Sequence, residues 1–210
     1  HGGRVSLLAG LLGAGLSLAF GALLGLVAGY FGSWADDLVM RAGEVFLALP
    51  WLYLLLAVRV TLPLDLGAGA TFLLLVVVLA LVGWARPARL VRGVTMTARS
   101  GDYVLASRAF GASDVHVLRR HVAPQLTGVL VTQAAILIPQ YTLAEVTLSF
   151  FGLGVSEPTP SWGNLLASLQ QYHVAASYWW MFLPAIALVP FFLLYHRLAD
   201  LLHHRTAFSQ

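Results

Sequence analysis

The sequence has 210 residues, 59% of them hydrophobic and only 10% charged, with a formal net charge of +3. Ordinary soluble domains carry roughly 25% charged residues, so this much apolar surface requires lipid to cover it. All 12 side-chain cations are arginine, and there is neither Lys nor Cys, which excludes P-loop and Schiff-base chemistry, thiol catalysis, disulfides and Cys-ligated metals.

Five stretches are apolar and long enough to span or nearly span a bilayer of ~30 Å: residues 5–30, 45–62, 67–85, 126–151 and 177–195. None shows the alternation and ~10-residue length of barrel strands, so the expected fold is all-α, one polytopic transmembrane helix bundle over 1–210. The arginines sort by side. Ten lie in the first loop, in the long loop of about 86–124 and in the C-terminal tail, against Arg4 alone on the other side. The positive-inside rule then predicts a cytoplasmic long loop and C-terminus, with the start of the chain external. The sequence opens on His1 with no readable signal peptide, and an external start with five spans predicts that a preceding helix is missing.

In the first span, Gly21, Gly25 and Gly29 form a ridge at i, i+4 and i+8. Small residues at that spacing let a second helix approach closely in lipid, whether from this chain or another. Arg59 falls near the outer end of the second span and is expected to snorkel to the surface. Within the long loop, 99–110 reads as helix. Gly111 suits a left-handed turn, Ser113 an N-cap, and Asp114 the positive end of the next short helix, with Val115, Leu118 and Val122 on one face. Pro124 suits the first turn of the following span. Two readings fit this loop: a rigid knob that receives a push from a partner, or a well-capped surface loop. The arginines lack aromatic interleaving and are accounted for by topology, so no nucleic acid is expected.

Glu145 lies roughly 28 Å along the fourth span at 1.5 Å per residue, near its outer end. It is either a solvated or hydrogen-bonded structural carboxylate or a residue of a translocation path, and it has the reach to pair with Arg59. In the external loop of about 152–176, Leu165, Leu166 and Leu169 predict a short interfacial helix, and Trp179 and Trp180 read as interfacial anchors. His203 and His204 diverge by ~100° on a helix and have no third ligand nearby, so no metal is expected. No cluster of catalytic groups is readable, so no catalytic residue is assigned.

The run Asp102-Tyr103-Val104-Leu105-Ala106-Ser107-Arg108-Ala109-Phe110-Gly111-Ala112-Ser113-Asp114, with Arg120-His121-Val122-Ala123-Pro124 after it, resembles the Glu-Ala-Ala loop of permease subunits of ABC importers. The resemblance is to the C-type subunit of the dipeptide/oligopeptide/nickel family. It extends over Ala28-Gly29-Tyr30-Phe31-Gly32, Ala48-Leu49-Pro50, Ala144-Glu145, Leu148-Ser149-Phe150-Phe151-Gly152-Leu153-Gly154 and Pro158-Thr159-Pro160-Ser161-Trp162-Gly163. The family's Glu is Leu105 here, its second Ala is Ser107, and His121 and Ala123 replace aliphatic residues before the proline.

The resemblance implies a prokaryotic plasma-membrane permease working by alternating access, most readily for di- or oligopeptides, with nickel or another small solute as the alternative. It implies a second permease subunit in a heterodimer, two ATPase subunits that use ATP and Mg, and an external solute-binding protein. It implies no cofactor in this chain and a coupling loop in an ATPase cleft. The family's first transmembrane helix is the one expected to be missing. A secondary transporter would show inverted repeats, a membrane enzyme clustered catalytic groups, and a mere scaffold would not need the loop.

Overall fold

The computed structural model describes residues 2–63, 66–155 and 158–207, except the side chains of 175–176 and 198–207. Every regular element among them is helical. The bundle is built around α1 (Gly2–Phe31), which packs against α4 (Ala68–Gly83), α5 (Ala85–Arg99) and α8 (Leu126–Phe150). Its buried positions are nearly all small, among them Ser6, Ala9, Gly10, Gly13, Ser17, Gly21 and Gly25. In lipid, close backbone approach replaces the hydrophobic drive, and a post of small residues is what permits three neighbours at once. The central apolar cluster joins Ala9 and Ala14 of α1 to Leu55, Leu75, Leu79, Leu137 and Tyr141. Large side chains such as Leu11, Leu23, Leu73 and Leu193 point outward, as a lipid-facing surface requires.

Three stretches are long and apolar enough to cross a membrane alone: Gly2–Phe31, Asp114–Phe150 and Trp179–Arg197. Two bent pairs raise the number to five, the number expected, but with shifted boundaries. The expected second span, 45–62, is not one helix. It breaks between α2 (Ser33–Ala48) and α3 (Trp51–Thr61) with a bend of 92°. Pro50 forces Leu49 into extended geometry (φ −91°, ψ 141°), and Pro50 itself brings no N–H. The third span does not end at residue 85. α4 turns by 46° near Trp84 and continues as α5, which lies along α1. The first part of the long loop is therefore a packed helix.

The chain then forms α6 (Asp102–Ala109) and α7 (Asp114–Val117). A π turn (Leu118–Val122) and a 3-10 turn (Ala123–Gln125) lead into α8. At the opposite end lie α9 (Trp162–Ala167) and α10 (Tyr172–Ser177), followed by α11 (Leu183–Ala207). Arg59 does not snorkel. It is 1% exposed where α3 folds onto α4, and its Nη1 donates to the Pro63 carbonyl at 3.2 Å. The sharp break at Pro50 returns α3 against the bundle and covers the residue that a straight span would have left at the surface.

Candidate functional site

The long loop gathers at one end of the bundle around the foot of α1. The Gly111 backbone is left-handed (φ +82°), and the Ala112 N–H reaches back to the Ser107 carbonyl at 3.1 Å. This is the six-to-one bond of a Schellman cap, and glycine is the residue that takes that conformation without strain. Ser113 caps α7 by accepting from the His116 N–H at 3.4 Å, and Asp114 occupies the first turn.

Tyr30, in the last turn of α1, joins this loop to the bundle. Its hydroxyl donates to Asp114 Oδ1 at 2.5 Å and accepts from Arg108 Nη2 at 2.9 Å. Arg108 also pairs with Asp114 at 3.3 Å and lies 5.5 Å from the centre of the Tyr30 ring. Arg99 donates to the Tyr30 carbonyl at 2.6 Å, supplying one of the partners that the end of a helix lacks. Beneath these polar contacts Tyr30 packs with Ala98, Val104, Val117 and Val122. The buried face therefore runs Val117–Val122, not through Val115, which is exposed. A π turn holds residues five apart on one side, and that register places Val117 and Val122 inward.

The remaining loop residues divide into ties and exposed surface. Tyr103 donates to the Ala98 carbonyl at 3.2 Å and accepts from Gln125 Nε2, closing α6 onto the end of α5 and the approach to α8. Ala112 packs against the Tyr30 cluster. Asp102 and Ala106 are exposed, Ser107 is half-buried, and Pro124 sits exposed in the 3-10 turn. Leu105 is 57% exposed and Phe110, beside the glycine turn, is 93% exposed. The knob is thus tied to the bundle on one side, and toward the outside it presents Leu105 and Phe110 among the exposed charged side chains Asp102, Arg119 and Arg120. Tyr30 and Phe110 were not singled out by the sequence reading. The available signal was an aromatic residue at the last turn of a span and another directly before a turn glycine.

The glycine ridge has its partner within the chain. A Cβ on Gly21 would meet the Trp84 carbonyl oxygen at 2.7 Å, one on Gly25 the Val91 Cβ at 2.9 Å, and one on Gly29 the Arg92 carbonyl oxygen at 2.7 Å. All three face α5. Arg92 also makes a two-pronged ion pair with Asp36 of α2. Several arginines of the long segment therefore hold the structure together besides setting its charge.

At the other end, Glu145 is fully buried, accepting from Ser149 Oγ at 2.6 Å, with the hydroxyls of Ser6 and Ser161 close by. Ser6 Oγ accepts from the Trp162 N–H at 3.2 Å, and Ser161 caps α9 by accepting from the Asn164 N–H at 3.1 Å. The carboxylate lies in a polar knot joining α1, α8 and the cap around α9. It forms no ion pair with Arg59. Trp179 and Trp180 are exposed at the start of the last span, and the side chains of His203 and His204 lie outside the described residues.

The described residues thus form a kinked, multi-pass helix bundle with a stapled loop at one end and a closed cap at the other. The profile of the family described as binding-protein-dependent transport system inner membrane component matches residues 21–208, and the chain belongs to that family. It is 39% identical over 189 residues to a di/tripeptide transport system permease protein, DppC, of Pseudomonas aeruginosa, covering 90% of this chain and 60% of that protein. It is 34% identical over 186 residues to the dipeptide transport system permease protein DppC of Bacillus subtilis, covering 88% of this chain and 56% of that protein. The chain thus spans a little over half the length of these relatives. In fold it resembles a chain of the MetNI methionine ABC transporter solved in inward-facing conformations, with TM-score 0.66 and 17% identity over 97% of this chain and 94% of that one.

Proposed function

We propose that this chain is a permease subunit of an ABC importer that moves di- or oligopeptides across a prokaryotic plasma membrane by alternating access. The observation that carries this reading is the loop knob. It is fastened to α1 through Tyr30, Asp114 and Arg108, and it presents Phe110 and Leu105 outward as a docking face. Similarity to peptide permeases supports the substrate class. In this reading the knob is cytoplasmic, the cap around α9 is external, and Gly111 sits against an ATPase subunit. The chain pairs with a second permease subunit, most simply as a heterodimer. Two ATPase subunits hold ATP and Mg, and an external solute-binding protein delivers the peptide. The chain carries no cofactor and no catalytic group of its own.

The test is reconstitution with the ATPase subunits, second permease and solute-binding protein of its own source. ATP-dependent accumulation of a radiolabelled dipeptide inside proteoliposomes is the expected result. An assembled complex that hydrolyses ATP but accumulates no peptide rules out the substrate class. Failure of any ATPase to co-purify rules out the importer.

A further inference from the structure

Two bends in the bundle and a proline inside a third helix fall beside one another. α2 and α3 bend by 92° at Leu49–Pro50, α4 and α5 by 46° near Trp84, and α8 carries Pro139 inside its length. Kinked helices do not pack side by side through their bends, and a cavity of about 240 Å³ opens there. Its walls are largely apolar, with Leu49, Pro50, Trp51 and Val82 among them. The Trp51 ring stacks on Tyr141 with centroids 6.5 Å apart, and the Tyr141 hydroxyl is already engaged by Ser17 at 3.0 Å.

Two polar side chains line this space, the exposed Arg86 and the half-buried Gln140. Arg92, Arg99 and Arg108 have partners in the chain, whereas Arg86, like the exposed Arg89, Arg119 and Arg120, has no hydrogen bond or ion pair among the described residues; of these four, Arg86 is the one that lines the cavity. No carboxylate lines the cavity. A guanidinium fork, a neighbouring amide and an aromatic wall form the donor set that takes a carboxylate bearing an apolar group.

We infer that this cavity is a transit subsite in which Arg86 and Gln140 receive the terminal carboxylate of the peptide while Trp51 and the adjacent apolar wall take a side chain. The inference rests on the importer reading and adds the group that the path recognises. Transit requires weak holding, and one fork-shaped contact with an apolar wall provides that without a deep closed pocket.

The experiment uses the assembled importer in proteoliposomes, with dialanine as probe and the loaded binding protein at saturation. Arg86→Gln is expected to lower uptake per ATP hydrolysed about tenfold, the order of loss for one charge-assisted contact. Complex yield and stimulated ATP hydrolysis should stay within about twofold of the parent, and Arg86→Lys, which keeps the charge, should retain most of the uptake. Benzoylphenylalanine in place of Leu47, on the cavity wall, should photocapture labelled dialanine in the parent and not in Arg86→Gln. Parental uptake and capture in Arg86→Gln overturn the subsite. So does an equal loss in Arg86→Gln and Arg86→Lys, or a fall in complex yield that accounts for the lost uptake. A parent complex that hydrolyses ATP but takes up no peptide removes the peptide reading and this subsite with it. Normal parental uptake with an indifferent Arg86→Gln removes the subsite alone.

Discussion

Gly25→Ala is the smallest perturbation that tests how α1 is held. The added methyl would lie 2.9 Å from Val91 Cβ and closer still to the Ala88 carbonyl oxygen, both on α5. Ordinary contact begins near 3.4 Å. The obstacle is backbone, so α1 and α5 must part by roughly 1 Å. A gap of that size forfeits a quarter to a half of each contact worth ~0.1–0.2 kcal/mol. Over the long α1–α5 seam the loss is roughly 2–3 kcal/mol, in the range known for overpacked cores. Alanine returns about 1 kcal/mol of helix propensity, leaving a net destabilisation of roughly 1–2 kcal/mol. For a chain of this size that lowers Tm by roughly 2–8 °C. The control is Gly15→Ala, because nothing lies within 4 Å of a Cβ at that position. It gains propensity and meets no neighbour, so its Tm should equal or exceed the parent's. Thermal unfolding of the purified chain in detergent, followed by tryptophan fluorescence, gives both numbers. Equal Tm values for the two variants would refute the packing argument, because the substitution is chemically identical and only the neighbour differs.

Gly111→Val strains a left-handed residue by roughly 1–2 kcal/mol outside the bundle core, so membrane insertion should persist while ATPase pull-down or coupled transport is lost; Leu105→Glu should be tolerated in the same assay. Tyr30→Phe removes the hydroxyl shared by Asp114 and Arg108 and should loosen the loop from α1, read as faster limited proteolysis between α6 and α8 with α11 still protected. For orientation, Gln171→Cys should react with an impermeant maleimide on intact cells and Ala109→Cys should not; both positions are exposed and the native chain has no cysteine, and the reverse pattern overturns the assigned sidedness. Ser161 is unsuited to that assay because it is fully buried beneath α9.

Apolar length made the bundle legible in the sequence, and glycine spacing made the α1 ridge legible, because both are one-dimensional signals of a local constraint. The turn at Gly111 and the cap at Ser113 were legible for the same reason, since each depends on two or three consecutive residues. The bends were not. Pro50 marks a break, but hydropathy averages across it, so an apolar stretch running through a 92° corner reads as one span. Arg59 was misplaced as a consequence, because its burial depends on where α3 goes after that corner. The π turn displaced the inward face from Val115 to Val117, since a periodicity of 3.6 carries no warning of one extra residue in a turn. Tyr30 lay furthest from reach. Its role requires Arg108 and Asp114, which follow it by 78 and 84 positions.

Those long-range ties decide what the knob is able to transmit. Swinging a two-state permease from 1:99 to 99:1 takes ~5.5 kcal/mol, which has to pass from the moving partner into the spans. A loop held by its two ends alone would yield under that load. Here α7 is fastened to the last turn of α1 through Tyr30, α6 to the end of α5 through Tyr103, and α1 to α5 by a seam too tight for a methyl group. The ion pair between Asp36 and Arg92 adds α2 to the same body. A displacement at Phe110 therefore moves α1, α5 and α2 together. α1 is also closely packed on α4 and α8, through Gly13 on Leu79 and Gly10 on Thr142, so it spans the level of the bends at Leu49–Pro50 and Trp84, where the cavity lies. Under the importer reading, a push received at the knob reaches the cavity through α1. Under the same reading, packing that is bistable and does not deform continuously is what alternating access between two arrangements requires.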